Sequence, residues 1–377
     1  MDLALSEEQE MLRKMARDFL SDKCPKTVVK EIEQSEEGYL PELWQEMANL
    51  GWMGLVFPEK YGGSNMSFLD LSVLLEEMGR ACLPGPFFST VVLGGLPLLD
   101  AGNEAQKDEY LPKIASGKAI FTLALTEPDA NYDTASITVR ATANNSTYTI
   151  NGVKLFVPDA HIADYLLCVA RTNERAKPEN GITIFLVDTK SPGVSYTVLK
   201  TIAGDKLCEV VFDQVRVPRE NIIGQLDKGW SEVQKIIERA AVAKCCEMVG
   251  NIRQVLDMTV NYAKERKQFD RPIGSFQVIQ HYCASMATDV DSLRFITYQA
   301  AWRLSKGLPC IKEVAIAKAW MGEACERVTA LAHQIHGAIG VTMDHDLHFY
   351  TRRAKAAGIT FGDADFYREI VAQEMGL

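Results

Sequence analysis

No stretch of the 377 residues approaches the roughly 18 to 20 consecutive apolar residues that a membrane helix needs. The longest candidate, Thr90 to Leu99, is interrupted by Gly94, Gly95 and Pro97. The start, Met1-Asp2-Leu3-Ala4-Leu5-Ser6-Glu7-Glu8, lacks the basic region and cleavage pattern of a signal peptide. Basic residues are outnumbered, 40 against 50 acidic, for a net charge of -10. That balance disfavours a nucleic-acid surface but leaves room for a local basic pocket that takes an anionic cofactor. The nine cysteines include no CxxC pair and are odd in number, the pattern of reduced core thiols in a cytoplasmic protein. The histidine pairs His333/His336 and His345/His348 lack the Cys or carboxylate partners of a zinc site, and no metal is expected. GxGxxG, Walker and HExxH motifs are also missing.

What is present is the composition of a globular protein, 47% hydrophobic and 24% charged. The first segment, 1–113, reads as helical: Leu5, Met11, Leu12, Met15, Ala16 and Phe19 recur at helical spacing, and Leu69 to Cys82 is a second run. From 114 to 224 the period shortens. Strand candidates are Ile120 to Leu125, Ile137 to Ala143, Tyr165 to Ala170, Ile182 to Val187, Val194 to Leu199 and Glu209 to Val217. Asn151-Gly152 between two strand-like runs predicts a hairpin turn there. This middle segment is expected to form an antiparallel β-barrel or sandwich. The remainder, 225–377, is helical again, with Ala317, Met321, Ala324, Val328, Leu331 and Ile335 on one stripe, and predicts a four-helix bundle. The expected class is therefore α+β, in three domains.

Two local features suggest chemistry. Thr126-Glu127-Pro128-Asp129 follows a strand candidate. Arg266-Lys267-Gln268-Phe269-Asp270-Arg271-Pro272 ends a helix in a cluster of cations. By itself the second reads either as a solvated helix end or as a site for a pyrophosphate or adenine.

The order and spacing of six motifs resemble the acyl-CoA dehydrogenase family over essentially the whole chain. They are Gly51-Trp52-Met53-Gly54-Leu55 with Pro58-Glu59-Lys60-Tyr61-Gly62-Gly63; Leu125-Thr126-Glu127-Pro128; Asn151-Gly152-Val153-Lys154; Val215-Arg216-Val217-Pro218 with Asn221 and Gly224; Arg266-Lys267-Gln268-Phe269 with Pro272, Phe276 and Gln277; and Gln334-Ile335-His336-Gly337. The resemblance implies bound FAD, an acyl-CoA thioester substrate, an electron-transfer flavoprotein as electron acceptor and a homotetramer. It puts Leu125 and Thr126 along the flavin's pyrimidine side, and Phe156 where the family usually has a Trp against the ring. It also implies that Arg266, Gln268 and Phe269 reach the adenosine diphosphate half of a neighbouring subunit's FAD. Gln277, Gln334, Gly337 and Ala338 belong to the same dinucleotide site.

The departures carry the most information. Matching Arg368-Glu369-Ile370-Val371-Ala372 without gaps puts Phe361 where the family has its catalytic Glu, before Gly362. At the alternative base position, on the helix after the β domain, stands Ala240. Three nearby carboxylates remain: Asp363, Glu247 and Glu238, with Asp363 and Glu247 the first candidates for the base. Asp363 and Asp365 also match positions the family uses to bind FAD. Thr126-Glu127-Pro128 is followed by Asp129-Ala130-Asn131-Tyr132-Asp133 in place of a Gly-led loop, and Pro158 replaces a frequent flavin-bonding Thr. The resemblance thus implies dehydrogenation of an acyl-CoA, and the missing bases point to a cyclic, branched or dicarboxylic acyl group. The competing readings are a silent FAD-holding subunit paired with a base-bearing paralogue in a heterotetramer, and a non-oxidative or enoyl-CoA-reducing flavoprotein.

Overall fold

A computed structural model describes residues 4–173, 177 and 179–377. In chain order the helices are α1 (Glu7–Lys23), α2 (Lys26–Gln34), α3 (Pro41–Asn49), α4 (Phe68–Ala81), α5 (Leu96–Ala101), α6 (Glu104–Ala115), α7 (Trp230–Glu265), α8 (Gln277–Ser305), α9 (Ile311–His336), α10 (Leu347–Ile359) and α11 (Ala364–Glu374). The strands are β1 (Phe121–Ala124), β2 (Arg140–Asn144), β3 (Thr147–Pro158), β4 (Tyr165–Arg171), β5 (Ile182–Asp188), β6 (Val194–Leu199), β7 (Leu207–Pro218) and β8 (Ile222–Ile223). A small hairpin, β9 (Lys267–Gln268) and β10 (Arg271–Pro272), follows α7. Reciprocal capping boxes start α1, α4 and α6 at Ser6, Ser67 and Asn103, where each side chain bonds the third helical N–H.

The chain divides into two compact units. One contains the N-terminal residues to Lys30, Ser67–Leu83 and Ala241–Leu377; the other contains Glu31–Met66 and Pro84–Ala240. The second holds an eight-stranded sheet in the order β6-β7-β3-β2-β4-β5-β8, with β1 parallel to β4. Inward-facing Val139, Ile150, Leu166, Phe185, Phe212 and Val215 fill its core. The expected α+β class stands, with helical ends around a central β region. The β region itself is a mixed sheet and not a purely antiparallel one, because β1 and β2 both pair with β4 in the same direction.

The hairpin expected at Asn151-Gly152 is not there. β3 runs straight through it, and the turn lies at Asn145-Ser146, where Asn145 adopts φ 53°. Asn151 and Gly152 instead face a bulge in β7. The Asn151 side chain accepts the Gln214 N–H at 2.9 Å, and a Cβ on Gly152 would meet Val139 at 2.8 Å. Asn-Gly signals a backbone that needs φ > 0, and here a bulge meets that need instead of a turn.

In the other unit, α8, α10 and α11 pack on α9, whose Ala317, Met321, Ala324, Val328 and Ile335 are buried as the stripe requires. Here α4 and α7 cross at backbone contact. A Cβ on Gly79 would sit 1.8 Å from the Glu247 carbonyl oxygen, and one on Gly250 would sit 1.7 Å from that of Glu76. Buried acids in this unit are paired: Glu77 takes two bonds from Arg17, and Glu76 accepts the Tyr298 hydroxyl at 2.6 Å.

Candidate functional site

In the sheet-bearing unit, the end of β1 and the middle of β3 bring Leu125 and Thr126 beside residues 154–156. The Thr126 carbonyl accepts the Leu155 N–H at 2.8 Å. The Leu125 carbonyl accepts the Lys154 ammonium at 2.9 Å. Both carbonyls are thereby used, whereas the Thr126 N–H has no backbone acceptor among the described residues. Phe156 sits in a register shift between Lys154 and Val157 at φ 55°, a conformation costly for an aromatic residue, and its ring is 47% exposed. An open amide and an outward-turned ring on a rigid strand suit a flat heteroaromatic ligand with acceptors on one edge.

Beneath this edge lies a feature that the sequence reading passed over. Lys154 and Glu127 form an ion pair of 2.7 Å with side chains 0% and 2% exposed. Burial pushes the Lys154 pKa down, against the pull of Cys168 and Glu127. Glu127 also accepts the Thr138 N–H at 2.8 Å, the Thr138 hydroxyl and the Val139 N–H at 3.1 Å. The signal was available in the alternation: Tyr148, Ile150 and Lys154 fall in the same buried phase of β3.

In the other unit, Arg266, Gln268 and Phe269 share the exposed β9–β10 hairpin. Phe269 and Asp270 both have positive φ, 54° and 61°, as a two-residue hairpin turn requires. The Phe269 ring is 86% exposed and touches Phe276 edge-on at 6.1 Å, next to Gln277 at the start of α8. Gln334, Gly337 and Ala338 lie together at the exposed end of α9. His336 stacks on Tyr262 at 4.4 Å, one turn before Arg266, and so ties this end to the hairpin's root. Gly337 has φ 65° and ψ −141°, a backbone only glycine adopts readily, with nothing within 4 Å of where a Cβ would stand. A cation with no ion pair among the described residues, amide side chains and an open glycine backbone suit a pyrophosphate and its adenosine.

Asp363 and Asp365 are elsewhere. Asp363 caps α11, its carboxylate accepting the Phe366 N–H at 2.8 Å, and Asp365 pairs with Arg368 at 2.5 Å. The loop before α11 is tied to Lys318, whose ammonium donates to the carbonyls of Ala357, Gly358 and Gly362 at 3.1, 3.4 and 2.6 Å. Sixteen residues of α9, about 24 Å of helix, separate Lys318 from Gln334. Within one chain, then, the Asp363 loop and the Gln334 cluster are separate surfaces.

Phe361, half-buried, is held at φ 60°, with its carbonyl accepting the Tyr367 hydroxyl at 2.7 Å. Lys318 was also missed from sequence, although it interrupts the apolar face between Val314 and Met321. Burial pushes its pKa down to about 8. Glu247 pairs with Lys244 at 2.5 Å. Glu238 is half-buried, makes no hydrogen bond among the described residues, and is raised in pKa by burial against the pull of Arg239 and Lys235. Ala240 is fully buried. No helix among the described residues is long and apolar enough to cross a membrane.

Three family models match in chain order: the acyl-CoA dehydrogenase N-terminal domain over residues 6–118, the middle domain over 122–215 and the C-terminal domain over 227–376. The chain is 33% identical to the probable acyl-CoA dehydrogenase YngJ of Bacillus subtilis, over 100% of both chains. It is 31% identical to the caffeyl-CoA reductase-Etf complex subunit CarC of Acetobacterium woodii, over 97% of this chain and 98% of that one. Butyryl-CoA dehydrogenase from Megasphaera elsdenii superposes with a TM-score of 0.93 at 30% identity, over 100% of both chains. FAD is the cofactor of this family. The chain belongs to the acyl-CoA dehydrogenase family of flavin-dependent oxidoreductases.

Proposed function

We propose that this protein catalyses oxidoreduction at the α,β carbon–carbon bond of an acyl-CoA whose acyl group is cyclic, branched or dicarboxylic. The observation that carries the unusual substrate is Phe361, an apolar side chain on a loop whose backbone is fixed by Tyr367 and Lys318. Bound FAD supplies the electron-pair acceptor. Leu125, Thr126 and Phe156 hold its ring, and Arg266, Gln268, Phe269, Gln277, Gln334, Gly337 and Ala338 hold the dinucleotide of a neighbouring subunit. The roughly 24 Å of α9 between Lys318, which anchors the Asp363 loop, and Gln334 supports that division between subunits, and with it a tetramer.

A carboxylate must move the α-proton, and a water-poor site raises its pKa toward that task. Of the three candidates, Asp363 is occupied as a helix cap and Glu247 by Lys244. Glu238 alone combines partial burial, a raised pKa and free oxygens, so the geometry favours it over the two that sequence put first. The electron partner is an electron-transfer flavoprotein and the compartment the cytoplasm. The test is anaerobic: purified protein is yellow with about one flavin per chain, and a panel of acyl-CoAs is scored for flavin bleaching. A colourless protein that takes up no FAD refutes the proposal.

A second reading rests on the same residues. With Phe361 and Ala240 at both usual base positions, the chain also suits a silent FAD-holding subunit of a heterotetramer. Bleaching by the pure homo-oligomer excludes that reading, whereas bleaching only after a paralogue is added establishes it. An enoyl-CoA reductase is separated from both by reoxidation of the reduced protein with enoyl-CoA.

A further inference from the structure

The Lys154–Glu127 pair is expensive by construction. Both side chains are essentially fully buried, and an ion pair of this kind is often no more stabilising than apolar residues of the same size. A stabilising role alone therefore explains it poorly. Its contacts give it a direction. Glu127 spends its oxygens on the 138–139 backbone and on Lys154, which fixes the ammonium in place. The ammonium's other bond goes to the Leu125 carbonyl at 2.9 Å. That carbonyl belongs to the same peptide group as the Thr126 N–H, which has no backbone acceptor among the described residues.

A cation on the oxygen of a peptide group draws electron density from its nitrogen and makes the N–H a stronger donor. Water does not screen this effect, because Lys154 has no exposure. The bulge that follows keeps the two functions apart on one strand. Lys154 stays inside, while Phe156 two residues later turns outward at φ 55°.

We propose that Lys154 is a positioning and tuning residue for the flavin: through the Leu125–Thr126 peptide it strengthens the Thr126 N–H as a donor to the ring edge that gains negative charge on reduction. This rests on the reading that the Leu125–Thr126 edge holds FAD. Glu127 sets where the ammonium sits, and the Thr138 and Val139 amides set where Glu127 sits. The sequence distance between these groups, 27 residues from Glu127 to Lys154, is closed only by the sheet.

The test uses the purified holoprotein and a variant in which both charges are replaced together, Lys154→Met with Glu127→Gln, so that no buried charge is left unpaired. The readout is the flavin midpoint potential without substrate, measured by equilibration with a reference dye. The ratio of reduced to oxidised flavin at fixed potential is expected to fall about tenfold, equivalent to about 30 mV for a two-electron couple. A variant that holds FAD with a wild-type potential overturns the proposal and leaves the pair purely structural. If that variant does not retain FAD, Lys154→Gln with Glu127→Gln replaces it: the neutral amides still exchange hydrogen bonds, no buried charge is stranded, and the same two outcomes apply. A wild type that takes up no FAD refutes the underlying functional reading. A wild type with FAD beside a variant of unchanged potential refutes this inference alone.

Discussion

Replacing Phe361 with glutamate asks whether the loop before α11 still functions as a mount for a base. The backbone conditions favour the experiment. Residue 361 is held at φ 60° by the Tyr367 hydroxyl on its own carbonyl and by Lys318 on the next one, and neither contact involves the Phe361 side chain. The left-handed conformation costs any L-residue roughly 1 to 2 kcal/mol, and phenylalanine already bears that cost, so Phe361→Glu adds no backbone strain. A positioned general base is worth about 10²- to 10⁴-fold, which is roughly 3 to 5 kcal/mol of barrier. The assay is the first-order rate of anaerobic flavin bleaching by butyryl- and octanoyl-CoA, in wild type and in Phe361→Glu of equal FAD content. The native protein is expected to bleach slowly with these straight-chain substrates, and the variant about a hundredfold faster or more. If the FAD-holding variant is no faster, or if the native protein already oxidises straight chains at ordinary rates, the assignment of Phe361 to the base position is wrong.

Lys318 gives a pH signature whose sign follows from burial. Its folded pKa of about 8 lies below the ordinary 10.5, so charging it in the fold costs about 3 kcal/mol below pH 8, and this cost disappears as pH rises toward 10.5. Denaturant titrations of wild type and Lys318→Met should therefore show their stability difference moving in favour of wild type by about 2 kcal/mol between pH 7 and 10; a constant difference contradicts the assignment. Tyr298→Phe removes the 2.6 Å donor to buried Glu76, whose pKa burial already raises, and is expected to lower stability by about 1 to 3 kcal/mol in a thermal melt. Arg266→Ala should shed FAD and weaken the oligomer together, by about 2 to 5 kcal/mol if the arginine is a desolvated contact in the assembly. Full flavin content and unchanged sedimentation would show it to be a solvated helix end.

The sequence by itself determined the class of the fold and the family. Helical periodicity at both ends and short alternating runs between them are local properties, since an apolar face must recur at the period of the element that buries it. The α9 stripe from Ala317 to Ile335 is one example, and the alternation along Leu207–Pro218 is another. The motif order from Gly51 to Gly337 likewise survives in a linear reading. What failed was where pairing partners decide the outcome. Asn151-Gly152 has the chemistry of a turn, yet the bulge at Gln214 across the ladder made it a strand interior. β1 and β2 read as any other strands, and only their parallel pairing with β4 made the sheet mixed. The charges followed the same division. Sequence can place Asp363, Glu247, Lys154 and Lys318 on their elements, but it cannot say which neighbours they meet. A helix N-terminus took Asp363, Lys244 took Glu247, and three carbonyls took Lys318. Glu127 and Lys154 became a buried pair because the sheet closed 27 residues of chain to 2.7 Å. Burial and partner identity are properties of the folded surroundings, and they set both the pKa of a group and its availability for chemistry.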